Sequence, residues 1–419
     1  MKKILFILYT CCILSFPVSA QQIPSFKAND RIVFLGNSIT EGGHYHSYIW
    51  LYYMTHFPNL PLRMYNGGIG GDCVSHMVYR FDSDIKIKKP TYLICSFGMN
   101  DSGFDGYNKP GYDKYANQQV EYAHTEFEKL QRQILADKKI KSVVLLGSPP
   151  YDENVKLKGV EVLHGKNETI KRIIEMQAEV AQKRGWGFVN FNTVMCGLNK
   201  QIQLSDSTAT FCGGDRIHPD KDGHMVMAYL FLKAQGLAGQ EIASFQINAT
   251  NRKAMEERNC RISHIKNEND TISFRYLSRS LPFPIDTIPR WGTKGTARDA
   301  IRQIPFMQEM NQEIMKVTDL HGNFRVTIDG TEIGRWDGNE LSKGINLAEI
   351  TCTPQYQQSL SIMYLNEERC AIEKRLRQYM AMQYVFFKHR GLLFADNKAA
   401  LDAAKAERES HYLVKYLYT

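Results

Sequence analysis

Residues 31–38 read RIVFLGNS, and this stretch decides the fold. Four apolar residues, Ile32–Leu35, lead directly into Gly36, Asn37 and Ser38. A short, continuous apolar run is typical of a strand that is buried on both faces of a parallel sheet. The glycine and asparagine that follow it predict a turn. The sequence therefore places Ser38 at the carboxyl end of a buried strand, where a serine is either a turn residue or a nucleophile.

The segments that follow this strand repeat one pattern, a short apolar run and then a longer amphipathic stretch. Up to about residue 235, predicted strands such as TYLICSF and SVVLLG alternate with predicted helices such as EYAHTEFEKLQRQILADK. The stretch GFVNFNTV, residues 187–194, is predicted to be another strand. Strands that alternate with helices indicate an α/β fold, in which helices cover both faces of a parallel sheet. We assign residues 21–240 to this domain.

The character of the sequence changes twice after residue 240. Residues 241–352 contain short strand patterns separated by His-Gly and Asp-Gly turns, which predicts a β-rich accessory region. Residues 353–419 have a helical pattern with a stop at Gly391, which predicts a hairpin whose second helix runs from Asn397 to the C-terminus. The first of these helices carries too many apolar residues for a free helix, so we expect it to pack on the rest of the chain.

The N-terminus has the features of a secretory signal. Lys2 and Lys3 precede a short apolar segment, and Val18-Ser19-Ala20 matches a cleavage site of small residues. The apolar segment is too short to span a bilayer. We therefore expect residues 1–20 to be removed and the mature protein to be secreted or periplasmic, without stable insertion into a membrane.

The composition argues against several classes of protein. The 419 residues are 43% hydrophobic and 23% charged, with a formal net charge of +8. The basic residues are scattered among acidic ones, so nucleic acid binding is not indicated. No cysteines or histidines have the spacing of metal ligands, and we expect neither a metal nor another cofactor. Cys196 and Cys212 bracket one loop, where they either pair in an oxidising compartment or remain free. Nothing in the sequence specifies an oligomeric state.

A nucleophilic serine needs a base, a group that orients the base, and hydrogen-bond donors for the oxyanion. Asp215 and His218 lie together in the loop segment DRIHPD. Gly71, in the glycine-rich turn NGGIGGD, offers a backbone N–H, and Asn100, in GMND, offers a side-chain amide. Each residue alone is more often a turn or loop residue. Because all of them follow predicted strands or precede the domain's last helix, they are expected to converge at one edge of the sheet, and the combination favours a catalytic site.

These blocks, in this order, resemble the SGNH (GDSL-type) hydrolase superfamily. The first block is Gly36-Asn37-Ser38, the second contains Gly71, the third is Gly98–Asp101 and the fourth is Asp215–His218. The resemblance covers about residues 30–235 and implies a three-layer, flavodoxin-like α/β fold. One position departs from the superfamily's pattern, since Asn37 replaces the usual aspartate. We expect activity to survive with a different hydrogen-bond arrangement at this turn.

The resemblance also implies a role for each site residue. Ser38 would be the nucleophile, His218 the general base and Asp215 the residue that orients the histidine. The oxyanion hole would consist of the backbone N–H groups of Ser38 and Gly71 together with the side chain of Asn100.

The resemblance implies a serine esterase. Together with the signal sequence, it favours hydrolysis of small acyl esters, acetyl esters above all, on a carbohydrate, so that the substrate is a small-molecule or polysaccharide ester. Three alternatives remain open. The first is a thioesterase or lysophospholipase of the same superfamily, and the second is a glycan-binding protein that has lost catalysis. In the third, the C-terminal part of about 180 residues is the main functional part, for example as a dimerisation module.

Overall fold

A five-stranded parallel sheet forms the centre of residues 23–240, in strand order β2-β1-β3-β4-β5. The computed structural model describes residues 23–268, 271–289 and 294–417, and the predicted signal sequence lies outside these ranges. Within the described ranges, no helix is long and apolar enough to cross a membrane. The strands of this sheet are β1 (Arg31–Gly36), β2 (Arg63–Gly68), β3 (Tyr92–Phe97), β4 (Ser142–Gly147) and β5 (Gly187–Asn190).

Helices cover both faces of the sheet and give the predicted three-layer α/β architecture. They are α1 (Ser38–Gly42), α2 (His44–His56), α3 (Val74–Arg80), α4 (Tyr112–Ala136), α5 (Lys166–Arg184), α6 (Phe191–Ile202) and α7 (Lys221–Ala234). Alternate residues of β1 point to opposite faces, as the period of a strand requires. Val33 and Leu35 join the core under α3, α4 and α5, whereas Ile32 and Phe34 join the core under α2, α6 and α7.

The strand order explains why the site forms where it does. β1 pairs with β2 on one side and with β3 on the other, so the direction of strand addition reverses between β1 and β3. In open α/β sheets, ligands bind outside the carboxyl ends of the strands at such a reversal. Ser38 lies two residues beyond the end of β1, at this position.

The prediction for residues 187–194 is wrong in its second half. β5 ends at Asn190, and helix α6 begins at Phe191. The cause is local, because the Asn190 side chain accepts a hydrogen bond from the backbone N–H of Thr193 at 3.2 Å. This contact caps the first turn of the helix, a role in which asparagine is favoured.

The β-rich part of the chain contains a second, smaller sheet and two hairpins. Its strands are β6 (Ala243–Asn248), β7 (Lys253–Arg258), β8 (Cys260–Glu268), β9 (Thr271–Ser278), β10 (Glu313–Thr318), β11 (Asn323–Ile328), β12 (Thr331–Asp337) and β13 (Ile345–Asn346). The sheet has the order β13-β10-β6-β7, and β8–β9 and β11–β12 are antiparallel hairpins. Three short helices interrupt the strands, namely α8 (Ala297–Ile301), α9 (Phe306–Met310) and α10 (Gly338–Lys343).

The last segment is helical, but it is not a simple hairpin. A long helix, α11 (Pro354–Ala381), is followed by α12 (Lys398–Ala406) and α13 (Tyr412–Leu417). The prediction of one helix from Asn397 to the C-terminus is therefore wrong. Residues 407–411 are all polar and add no apolar side chain to the cluster formed by Ala400, Ala404 and Val414, and the chain turns there.

The two cysteines that bracket the loop before α7 do not form a disulfide. Cys196 and Cys212 are free thiols. The Cys212 sulfur accepts a hydrogen bond from the Asn199 side chain at 3.3 Å, and burial raises the pKa of the Cys212 thiol. The structure thus favours the second of the two alternatives stated for this pair.

Candidate active site

Ser38 is the first residue of helix α1, directly after the turn that ends β1. Asn37 is buried, and its side-chain oxygen accepts a hydrogen bond from the Ile39 N–H at 3.1 Å. The asparagine is therefore the N-cap of α1. This contact is the hydrogen-bond arrangement of the turn at the position where the resemblance led us to expect aspartate, and an amide oxygen is sufficient to make it.

Three of the predicted site residues form one hydrogen-bonded chain. The Ser38 Oγ lies 2.8 Å from His218 Nε2, and His218 Nδ1 lies 2.5 Å from Asp215 Oδ2. The side chains of His218 and Asp215 are 44% and 49% exposed. The chain of hydrogen bonds is thus open to solvent and accessible to a substrate.

The loop that carries Asp215 and His218 holds both residues in place. The Asp215 Oδ1 accepts the backbone N–H groups of Ile217 and His218, each at 2.9 Å. Burial favours the neutral acid, but the hydrogen bond and charge of His218, with these N–H groups, outweigh it and hold the pKa of Asp215 below its usual range. Asp215 is therefore ionised at neutral pH and accepts a hydrogen bond from the N–H group at His218 Nδ1.

The buried side chain of Arg216 also holds this loop in place, a role that the sequence did not reveal. Its backbone has a φ of +71°, and its buried side chain donates to the carbonyl oxygens of Asp152 and Val155 at 3.1 and 2.6 Å. A second constraint acts at Gly213, where a Cβ atom would lie 1.9 Å from the His218 carbonyl oxygen. The sequence signal was the arginine inside DRIHPD, whose left-handed backbone and inward direction are visible only in the structure.

The second block approaches the serine through its backbone. A Cβ built on Gly70 would lie 4.0 Å from the Ser38 Cβ, so this turn passes close to the nucleophile position. Gly71 has a φ of +80°, which favours glycine. Within the described part of the chain, neither the Ser38 N–H nor the Gly71 N–H donates to an acceptor. Both groups are available to a ligand.

Glu41 holds this turn from the serine's own helix. One of its carboxylate oxygens accepts the Gly70 N–H at 2.5 Å, and its carbonyl oxygen accepts from the Asn66 side chain at 3.1 Å. Burial raises the pKa of Glu41. The residue thus links α1 to the turn that follows β2.

Asn100 is attached to the same turn. Its side-chain nitrogen donates to the Asp72 carbonyl oxygen at 3.0 Å. A primary amide has two N–H donors, so one remains for a ligand. The neighbouring Asp101 accepts the N–H groups of Val74 and Gly98 at 2.7 and 2.8 Å, which fixes the loop between β3 and α4 against the start of α3.

The described residues contain no group of three or more His, Cys, Asp or Glu side chains placed to hold a metal ion.

Comparison with known proteins gives this arrangement a family. Residues 34–226 match the model of the GDSL-like lipase/acylhydrolase family, and residues 360–418 match that of the diltiazem deacetylase C-terminal helical domain. A solved structure of a gut microbial diltiazem-metabolizing enzyme is 48% identical in sequence to this chain. The alignment covers 95% of this chain and 90% of the other, with a TM-score of 0.92. The chain belongs to the GDSL-like lipase/acylhydrolase family. It is therefore an esterase of that family.

A more distant relative aligns with half of this GDSL-family enzyme. Acetylxylan esterase from Geobacillus stearothermophilus is 23% identical over 228 residues, which are 50% of this chain and 95% of that protein. One crystal structure of that esterase aligns at 21% identity, covers 50% of this chain and 95% of that chain, and has a TM-score of 0.39.

A buried network of ion pairs lies beneath the site of this esterase, and sequence reasoning missed it. Arg80 donates to Asp72 at 2.7 Å, to Asp84 at 2.6 Å and to the Gly36 carbonyl oxygen at 3.1 Å. One guanidinium thereby joins the end of β1 to the turn after β2. Arg80 and Asp84 are fully buried, a state that charged residues adopt only when they are paired.

Helix α11 extends this network from the far end of the chain. Arg377 donates to the Gly68 carbonyl oxygen at 2.9 Å, and Glu373 accepts the Asn66 N–H at 2.7 Å. Asn366, on the same helix, donates to the Ser47 carbonyl oxygen and hydroxyl at 3.1 and 2.9 Å. The C-terminal helix therefore packs on the α/β domain, as its apolar residues predicted. Its contacts with Asn66 and Gly68 fix the end of β2, which leads into the turn that carries Gly71.

Lys166 supports the loop that carries Asn100. Its ammonium group is buried and donates to the Met99 carbonyl oxygen, the Ser102 hydroxyl and the Gly103 carbonyl oxygen at 2.9, 2.6 and 2.5 Å. Burial lowers the pKa of Lys166 to about 7. In the sequence this lysine lies beside other polar residues, and the local pattern gives no sign that its side chain is buried.

Proposed function

We propose that this enzyme removes acetyl groups from esters of alcohols, with Ser38 as its nucleophile. The observation that carries the proposal is the continuous hydrogen-bonded chain from Asp215 through His218 to Ser38. Such a chain activates a serine hydroxyl, which is a weak nucleophile at neutral pH when it acts alone.

In the first half of the reaction, the Ser38 Oγ attacks the carbonyl carbon of the ester while His218 Nε2 accepts the hydroxyl proton. The imidazolium that forms is stabilised by the carboxylate of Asp215, which also holds the ring in the required tautomer. The tetrahedral intermediate then collapses, and His218 gives the proton to the departing alcohol oxygen. The products of this half are the free alcohol and an acetyl ester of Ser38.

The negative oxygen of the tetrahedral intermediate is bound by three donors. These are the N–H groups of Ser38 and Gly71 and the second amide N–H of Asn100. The backbone groups have no competing acceptor among the described residues, and Asn100 is already oriented by the Asp72 carbonyl oxygen. Donors held in place before charge develops stabilise the transition state more than the ground state.

In the second half, a water molecule attacks the acetyl ester of Ser38 and gives a proton to His218. A second tetrahedral intermediate forms in the same donor set. Its collapse returns the proton to the Ser38 oxygen and releases acetate, which restores the starting enzyme.

The names of the similar proteins support acetyl as the acyl group. The C-terminal family model is named for a diltiazem deacetylase, the 48% identical structure is a diltiazem-metabolizing enzyme, and the more distant relative is an acetylxylan esterase. The exposure of His218 and Asp215 leaves room for a bulky alcohol. The predicted signal sequence would place the enzyme where acetylated glycans occur, so carbohydrate acetates belong to the proposed substrate class.

The test compares acetyl esters of different alcohols with esters of longer acids. Purified enzyme is assayed on p-nitrophenyl acetate, butyrate and octanoate, on diltiazem and on acetylated xylo-oligosaccharides, with Ser38→Ala as the inactive control. We expect release of acetate from the acetyl esters and rates that fall as the acyl chain lengthens. A tenfold preference for octanoate would overturn the assignment to acetyl esters, and no hydrolysis of any ester would support a binding protein instead.

A further inference from the structure

Helix α11 has two faces with different surroundings. Arg377 and Glu373 on the inner face contact the α/β domain. The outer face is exposed, although it carries large apolar side chains over about four turns. These side chains are between 50% and 66% exposed, and they are Tyr364, Leu365, Ile372, Leu376 and Tyr379. We call these five residues the outer stripe.

The spacing of the outer stripe is that of a helix that pairs with another helix. Leu365, Ile372 and Tyr379 recur every seven residues, which is the heptad repeat of helices packed side by side. Two charged residues, Glu368 and Arg375, lie on the same exposed face. Within the described residues, neither of them forms an ion pair with another side chain. The face therefore combines uncovered apolar area with two uncompensated charges of opposite sign.

We propose that the outer stripe is a homodimer interface in which α11 pairs antiparallel with α11 of a second copy, about a twofold axis at Ile372. In this register each Ile372 faces its own counterpart, and Leu365 faces Tyr379 of the second copy. Glu368 then lies beside Arg375 and Leu376 of the second copy, and the same contact recurs on the other side of the axis. Self-complementary contacts of this kind are what a twofold interface requires.

The charges determine the direction of the pairing. In a parallel pair in the same register, Glu368 would face Glu368 and Arg375 would face Arg375, and facing like charges are destabilising. In the antiparallel pair, each Glu368 instead lies beside Arg375 of the second copy, and these opposite charges attract. The exposed face of α11 is complementary in charge to a second copy of the same face, and its apolar residues are placed symmetrically about Ile372. These two features identify a second copy of this chain as the occupant.

The association state of the full chain is the first test. A single helix pair of this length is at the small end of specific interfaces, so we expect a dimer at about 50 μM protein that dissociates on dilution in sedimentation equilibrium. Ile372→Glu should give a monomer with unchanged melting temperature and p-nitrophenyl acetate activity. Leu204→Glu is the matched control, because Leu204 is 85% exposed outside α11, and it should leave the dimer intact.

Charge reversal tests the register. Glu368→Arg and Arg375→Glu should each weaken the dimer about tenfold or more, because each places two like charges together at both ends of the interface. The double variant Glu368→Arg/Arg375→Glu restores opposite charges and should restore the dimer. If the double variant dissociates as readily as the single variants, the antiparallel register is wrong.

Cysteine cross-linking tests the direction independently of affinity. In a Cys352→Ser background, which removes the exposed native thiol, Ile372→Cys should form a disulfide-linked dimer on mild oxidation. Leu365→Cys should not, because the two copies of residue 365 lie about 21 Å apart along an antiparallel pair. Cross-linking of both variants would indicate a parallel pair and overturn the proposal. So would a wild-type protein that remains monomeric at about 200 μM.

Discussion

Arg377 and Asp84 form a two-pronged ion pair between the C-terminal helix and the α/β domain. The two terminal nitrogens of the guanidinium donate to the two carboxylate oxygens at 2.8 and 2.7 Å. The remaining guanidinium nitrogen, Nε, donates to the carbonyl oxygen of Gly68, which lies three residues before Gly71. The turn that carries a proposed oxyanion donor is thus held by a residue almost at the other end of the chain.

Replacing Arg377 should therefore affect catalysis more than substrate binding. We expect Arg377→Met to lower kcat about 10- to 100-fold on p-nitrophenyl acetate and to change KM little. The reason is that a loosened turn after Gly68 misplaces a donor that acts mainly in the transition state. Steady-state kinetics on folded protein separates the two parameters.

Two control variants distinguish this role from a general loss of stability. Arg335→Met removes an arginine whose side chain is 72% exposed in the β-rich part of the chain, and it should leave both kinetic constants unchanged. Arg377→Lys keeps the charge but cannot donate to both oxygens of Asp84 in the same plane, so it should restore only part of kcat. A rise in KM at constant kcat for Arg377→Met would indicate a substrate-binding role.

Ser38→Ala should abolish ester hydrolysis and leave the fold unchanged, because it removes only a hydroxyl at the first residue of α1. Losses of about 10³-fold or more are typical when a nucleophile is removed. Initial rates on p-nitrophenyl acetate, with a thermal melt to verify folding, provide the measurement. A variant that keeps a tenth of the wild-type rate would show that Ser38 is not the nucleophile.

Asn100→Ala should lower kcat with little change in KM. Removal of one oxyanion donor reduces kcat about 10²- to 10³-fold, because the donor interacts most strongly after charge has developed. The loop around Asn100 should keep its conformation, since Asp101 and Lys166 hold it through separate contacts. An effect confined to KM would instead place Asn100 in substrate binding.

The sequence was sufficient for those parts of the site that depend on local order along the chain. Ser38, Gly71 and Asn100 follow strands of the parallel sheet, whose carboxyl ends lie at one edge, and the Asp215–His218 loop precedes the last helix of the domain, α7. Their roles stay predictions until the variants are measured. The α/β architecture followed from the same alternation and is confirmed.

Contacts between distant segments could not be predicted in this way. Arg377 has the same local pattern as its exposed neighbour Arg375, and only packing makes one of them a buried partner of Asp84. Lys166 is similar, because a lysine at a helix start usually points to solvent. The break between α12 and α13 was missed because polar residues such as those at 407–411 are also common on exposed helices.

We expect the ionisation of Asp84 to make the free energy of unfolding depend on pH at acidic pH. Burial disfavours its charged form, but the hydrogen bonds and charge of Arg377, with Arg80 and Lys88, hold its pKa well below the ordinary 3.8. The folded state then binds the proton less readily than the unfolded state does. The contribution of Asp84 to stability is therefore fully present above about pH 5 and is lost progressively as the pH falls below 3.8.

Comparison of wild type with Asp84→Asn isolates this effect from the other titrating groups. The variant leaves buried guanidinium groups without their carboxylate, a change that typically destabilises by about 3–5 kcal/mol. Urea unfolding from pH 7 to pH 3 should give a constant difference in the free energy of unfolding down to about pH 5, and a shrinking difference below that. A difference that stays constant to pH 3 would contradict the lowered pKa.

The last prediction concerns the whole C-terminal segment. Deletion of residues 353–419 removes α11 and leaves Asp84, Gly68 and Asn66 without the partners they have on that helix. We expect insoluble or strongly destabilised protein, because a buried charge and buried backbone groups would lose their hydrogen bonds and apolar surface on α2 would be uncovered.

A shorter deletion, of residues 397–419, is the matched control. It keeps every α11 contact with the α/β domain and removes only α12 and α13, so it should remain soluble, with a smaller fall in melting temperature and with measurable activity. The contrast between the two deletions would assign the stabilising role to the inner face of α11. If the longer deletion gave soluble protein with normal melting temperature and full activity on p-nitrophenyl acetate, the C-terminal segment would be an independent module. The contacts of Arg377 would then be dispensable for the active site.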